Sequence, residues 1–169
     1  DGTFRAFAWS AVDTVAQALI ELNISPSVRT IETHINNGIN ELLGLMLDKL
    51  IASKACPEWR QKALAFIKGS KKELENVDPL KLKISWYENV LDKTHHTRPI
   101  ESALKVYHHS AEHYAKITAS LIPVFALLNN GDMQKIISPD RNDPKDPRPI
   151  ISLPEVIEQK QVLYIALGS

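Results

Sequence analysis

Between Arg98 and Asn130 the residues Leu104, Tyr107, Ala111, Tyr114, Thr118, Leu121, Phe125 and Leu128 follow one another at alternating steps of three and four. That spacing puts all of them on one stripe of a helix. It predicts a single long helix lying along other helices, with Leu104, Tyr107, Ala111, Tyr114, Leu121 and Phe125 buried. Thr97 is the candidate N-cap, and Pro99 fits the first turn because its missing N–H has no helical partner there. Asn130 and Gly131 are the stop signal. Pro123, inside the run, removes one backbone bond and is expected to bend the axis.

The rest of the chain is read as helices that must pack on this stripe. Phe4, Ala8, Ala11, Val15, Leu19 and Leu22 share one helical face. Ser25 and Pro26 read as a cap and a first-turn proline, opening a second helix to about Ala52. Its inward residues are Val28, Ile31, Ile35, Ile39, Leu42, Met46 and Leu50, and Gly38 and Gly44 weaken it. A third helix starts at Pro57, with Trp59, Ala63, Phe66 and Ile67 apolar. A fourth starts at Asp78 and Pro79, with Leu80, Ile84, Tyr87 and Leu91 on one face. No strand-like alternation appears before residue 160, so the expected class is all-α, a bundle of about five helices over 1–137.

The tail differs. Residues 138–149 hold four prolines and read as an extended connector. Ser152 to Glu155 forms a capping box that opens a short helix, so 138–160 is connector plus helix. Gln161 to Leu167 is a continuous apolar run of strand length, and 161–169 is expected to be the first strand of a neighbouring domain. A lone strand has no edge to pair with in a helical protein. The start at Asp1 and the apolar end both read as cuts from something larger.

Charge limits the function classes. Lys plus Arg equals Asp plus Glu at 20 each, which excludes a uniformly basic nucleic-acid binder. The balance is local: Lys49 to Lys83 holds nine basic and four acidic residues, whereas residues 1–48 carry a surplus of acids. Lys68, Lys71, Lys72, Lys81 and Lys83 concentrate around the turn between the third and fourth helices. They are the candidate partner-binding residues, suited to phosphates or an acidic protein surface. The bland alternative is a solvated helix end. A single cysteine, Cys56, excludes an internal disulfide.

His109-Ser-Ala-Glu112-His113 matches the inverted zinc-protease spacing. On a continuous helix, histidines four apart can share a zinc while the glutamate serves as base. The competing reading is a polar helix face, since His109, Glu112, His113 and Lys116 fall opposite the apolar stripe. Lys116 is also an unwelcome neighbour for a cation. No glycine-rich phosphate loop exists: Lys68-Gly-Ser-Lys-Lys72 lacks the earlier glycine and a preceding strand. No cofactor is therefore expected in this segment.

Several blocks occur in a fixed order: Phe4-Arg-Ala-Phe-Ala-Trp9; Glu112-His-Tyr-Ala-Lys116, then Ala119-Ser-Leu-Ile-Pro-Val124 and Leu127-Leu-Asn-Asn-Gly131; Ile137-Ser-Pro-Asp140, Asp146-Pro-Arg-Pro-Ile150 and Val162-Leu-Tyr-Ile-Ala-Leu-Gly168. In this combination the chain resembles the TraD/TraG coupling proteins of conjugative type IV secretion, above all the TraD subtype of integrative conjugative elements. The resemblance spans nearly the whole chain and is strongest from Glu112 onward. It implies a helical domain inserted into a RecA-like hexameric ATPase on the cytoplasmic side of the bacterial inner membrane. ATP and Mg would belong to the parent motor, whose nucleotide-binding motifs lie outside this segment, so no catalytic residue carries over. The implied role is recognition of the relaxase complex, secreted proteins and DNA during DNA transfer. The isolated segment is expected to be a monomer or weak oligomer. His109, Glu112, His113 and Lys116 are expected to face the motor, and a purely structural spacer is the remaining alternative.

Overall fold

The computed structural model describes residues 2–54, 56–69, 71–109, 111–130, 133, 145 and 153–160. These residues are helical, with no strand among them: α1 (Gly2–Glu21), α2 (Val28–Asn37), α3 (Asn40–Ser53), α4 (Trp59–Leu64), α5 (Lys71–Glu75), α6 (Pro79–Asn89), a 3-10 turn (Lys93–His95), α7 (Arg98–Tyr107), α8 (Ala111–Leu128) and α9 (Leu153–Glu158). The all-α expectation holds. The apolar run from Gln161 to Leu167 lies outside the described residues, as does most of the Pro-rich connector. The short helix after the capping box is present as α9.

The packing does not centre on the 98–130 stretch. α1 packs on α2, α3, α7 and α8, while α3 also contacts α6 and α7, and α4 rests on α6. α1 and α3 are therefore the middle of the bundle. Ala8, Ala11, Val15, Ala18 and Leu19 supply the inner face of α1. Small residues on that face let the neighbouring helices approach closely. α1 ends where Asn23 takes a left-handed conformation at φ 60 and the Ile24 N–H returns 2.8 Å to the Leu19 carbonyl. The Lys49 ammonium donates to the free carbonyl of Glu21.

Two predicted helices are each two helices. The helix expected from Pro26 to Ala52 breaks at Gly38, which sits at φ 86 and ψ 167. Side-chain-bearing residues rarely reach that region. Its cap is Ser27, not Ser25. The Thr30 N–H donates 3.0 Å to Ser27 Oγ, and Thr30 Oγ1 accepts from the Ser27 N–H at 2.8 Å. The break re-aims α3, so Leu43, Leu47 and Ile51 join Leu42 and Met46 in the core. Gly44 faces Leu80, and a Cβ there would meet the Leu80 side chain at 3.8 Å, an ordinary contact. A Cβ at Gly38 would meet nothing within 4 Å. The requirement at Gly38 is thus backbone conformation alone. Gly38→Ala is expected to cost about 1–3 kcal/mol through strain, read as a lower urea midpoint with an unchanged m-value. A midpoint equal to the parent's would show that the turn relaxes freely.

The long helix breaks too. α7 closes with the His108 N–H on the Leu104 carbonyl at 2.9 Å and the His109 N–H on Val106 at 3.2 Å, and α8 begins at Ala111. α7 packs on α1 and α3, whereas α8 packs on α1 and α2. One straight rod cannot follow both pairs of neighbours, so a perfect stripe is divided. Of the residues expected inside, Leu104 and Phe125 are buried, and Tyr107 and Leu121 pack half-buried against the core. Tyr114 is also half-buried, with its hydroxyl donating 2.8 Å to the Ile35 carbonyl. The Ala111 side chain lies outside the described residues. α8 runs on through Pro123, which is exposed.

The third predicted helix is short. α4 begins at Trp59 rather than Pro57, and Phe66 is 55% exposed instead of packed. α6 behaves as designed at its start: Asp78 accepts from the Leu80 N–H at 3.0 Å, with Pro79 at the first helical position. Ile84, Ser85, Trp86 and Tyr87 are then buried in succession. Ser85 is satisfied by donating 3.0 Å to the Ala63 carbonyl.

Candidate functional site

The lysine corner lies where α4, α5 and α6 meet in sequence. Lys68, between α4 and α5, is exposed, and so is Lys81 in the first turns of α6. Neither forms an ion pair with a described carboxylate. Lys81 points outward because Leu80, Ile84 and Tyr87 occupy the inner face of the same helix. Lys83 does not join them. Its Nζ lies 2.7 Å from Asp48 Oδ2 on α3, and its side chain is only 19% exposed. Lys83 is therefore a tie between α6 and α3. Lys71 and Lys72 open α5, and their side chains lie outside the described residues.

The histidine-rich stretch is divided by the α7–α8 break. His109 sits in the turn, exposed, with its ring edge-on to Phe7 at 5.3 Å and 89°. Glu112, His113 and Lys116 are on α8. The spacing of two histidines on one helix, on which the zinc reading depended, is not what the chain adopts. Among the described residues no cluster of three or more metal-ligating side chains occurs. Lys116 is exposed. The side chains of Glu112 and His113 lie outside the described residues. His108, one residue before His109, turns its Nε2 to Glu88 Oε1 at 3.3 Å.

A polar network joins the end of α6 to the start of α7. Tyr87 is buried, its hydroxyl donating 3.2 Å to Glu101 Oε1 and accepting from the Thr97 N–H at 3.1 Å. His96 stacks on the Tyr87 ring at 4.2 Å and 23°. Its Nδ1 lies 2.9 Å from Glu101 Oε1 and its Nε2 lies 3.0 Å from the Tyr87 carbonyl. Burial pushes the Tyr87 phenol up to about 12, and Glu101 beside it acts in the same direction, while the Thr97 N–H opposes it. Thr97 is the cap position, as expected, yet its side chain makes no capping bond and its Oγ1 is buried without a partner. Before the 3-10 turn, Asp92 accepts from the Thr94 hydroxyl at 2.6 Å and from its N–H at 2.8 Å, which holds its carboxyl below the usual carboxylate range. The sequence marked Thr97 as a cap and Tyr87 as part of an apolar helix face, and it gave no sign that His96 and Glu101 would meet them.

An apolar groove of about 510 Å³ opens between α1, α2 and α8, walled by Val12, Ile31, Leu121, Val124 and Leu128, with Trp9 at its edge. Trp9 is 70% exposed and Leu127, nearby in sequence on α8, is 69% exposed. Trp9 lies outside the small-residue face of α1, the one signal that sets it apart in the sequence.

No family model, no curated protein and no solved structure matches the chain. Among the described residues no helix is long and apolar enough to cross a membrane.

Proposed function

We propose that this chain is the helical substrate-recognition domain of a conjugative coupling protein, docking the relaxase complex for DNA transfer. The sequence resemblance supplies the family, and the all-α architecture is of the class it implies. The observation that carries the working surface is the pair Lys68 and Lys81, both exposed and neither neutralised by a described carboxylate. Such charges steer an acidic partner and act mainly on the rate of encounter. Lys71 and Lys72 extend the corner in sequence. Lys83 contributes to the fold through Asp48 and is left out of the contact surface. In the parent protein the domain would be carried by a hexameric motor that supplies ATP and Mg, and His109, Glu112, His113 and Lys116 would face that motor.

Charge reversal tests the assignment. K68E/K81E is expected to fold like the parent, because both lysines are exposed and neither makes an ion pair or side-chain hydrogen bond among the described residues, and K68E/K71E/K72E extends the reversal along the corner. Each is expected to bind the relaxase–DNA complex about tenfold more weakly at low ionic strength, with the difference shrinking as salt rises. Reversal of Lys83 should instead lower stability. Unchanged binding by both multiple variants would reduce the corner to a solvated helix end.

A further inference from the structure

We infer that His96 and Glu101 form a proton-dependent clamp that fixes the junction between α6 and α7. His96 Nε2 faces the Tyr87 main-chain carbonyl at 3.0 Å, and a carbonyl can only accept. Its Nδ1 faces the Glu101 carboxylate at 2.9 Å, which when ionised can also only accept. Both contacts are hydrogen bonds at once only if the pair carries one proton more than neutral imidazole plus carboxylate. Either neutral tautomer of His96 sets a ring lone pair against an oxygen lone pair at one of the two contacts. The clamp is thus complete with the extra proton and loses one hydrogen bond without it.

The surroundings make the position tight. The His96 side chain is 18% exposed and its ring is held flat against Tyr87. Glu101 Oε1 also accepts from the Tyr87 hydroxyl, which in turn receives the Thr97 N–H. In the connecting turn, Asp92 is held by the Thr94 hydroxyl and N–H, with His95 and His96 adding smaller effects of the same sign. Glu101 also lines a cleft with Glu88, Lys105, His108 and His109. Of these, Glu88 is taken by His108 at 3.3 Å. The chain leaves α6, which packs on α3 and α4, and enters α7, which packs on α1 and α3. The clamp therefore pins the corner between two parts of the bundle. The junction is therefore tighter while the pair holds the extra proton and looser without it. This reading is independent of the proposed partner.

The test uses the whole chain. The readout is the hydrogen-exchange protection factor of the Thr97 amide, corrected for intrinsic exchange, between mildly acidic and mildly alkaline solution. It is expected to fall about threefold to tenfold as pH rises, the equivalent of one lost hydrogen bond. In Glu101→Gln it is expected to stay level, because the amide can donate to Nδ1 of neutral His96 and no extra proton is needed. Nitrogen chemical shifts of the His96 ring in the unmodified protein provide a second reading that does not depend on a variant folding. Protons on both ring nitrogens in acid, with one lost alongside Thr97 protection, support the clamp. A neutral ring throughout with Glu101 ionised, a level Thr97 protection factor, or an equal fall in Glu101→Gln would overturn it.

Discussion

Trp86→Ala lowers the unfolding free energy by about 3–5 kcal/mol, the range for removing a large aromatic side chain from a packed interior. Trp86 is 2% exposed and lies in the run of α6 buried on successive residues. Four successive residues cover every side of a helical turn, so α6 is enclosed there rather than laid on the core by one face. α3 and α4 both contact it. Truncation leaves a cavity that these neighbours cannot collapse without dragging Ser85 from the Ala63 carbonyl and Tyr87 from Glu101. Denaturant unfolding monitored by circular dichroism measures the change as a lower midpoint with an unchanged slope. For a chain with the usual margin of about 5–15 kcal/mol, the variant is folded but weakened at room temperature. A loss below about 1 kcal/mol would mean that the indole is not held on all sides.

Alkali should weaken the fold through Tyr87. An unfolded tyrosine ionises near pH 10, whereas burial holds the Tyr87 phenol at about 12 in the folded chain. Between these values the unfolded chain releases a proton that the folded chain keeps. Stability is therefore complete below about pH 10 and is lost as pH rises toward 12, by roughly 1–3 kcal/mol. Tyr114, raised by burial as well, adds a loss of the same sign. Tyr87→Phe separates the contributions. It lowers stability at neutral pH by about 1–3 kcal/mol, since the Thr97 N–H loses its acceptor and Glu101 a donor. Its alkaline slope is then shallower than the parent's. An identical slope in parent and variant would assign the alkaline loss elsewhere.

The sequence carried the fold class and most inward faces. Period-3.6 patterning places Ala8, Ala11, Val15 and Leu19, then Ile35, Ile39, Leu42 and Met46, in the core, and each is buried. Local chemistry also marks the Asp78–Pro79 start of α6 and the position of Thr97 ahead of α7. These succeed because a cap or a stripe depends on residues within a turn or two of one another. The candidate site was legible only in part. Exposure of Lys68 follows from polarity and that of Lys81 from helical phase as well, but whether a lysine is spoken for depends on what stands across from it. Asp48, far away in sequence, removes Lys83 from the set.

Where each helix stops was a tertiary decision. The apolar stripe runs unbroken across Tyr107 and Ala111, yet α7 and α8 separate there, because α7 follows α3 while α8 follows α2. Gly38 reads in sequence as a mild weakness in a helix; in the bundle its φ of 86 is the hinge that turns α3 into the core. Trp86 lies off the predicted face of α6 and is buried because α6 is covered from more than one side. The Tyr87, His96 and Glu101 network likewise exists only after the connecting turn folds back. Periodicity along the chain determined which faces are apolar. Which neighbour covers each face, and so where a helix must end and which polar groups meet, was determined by packing between residues distant in sequence.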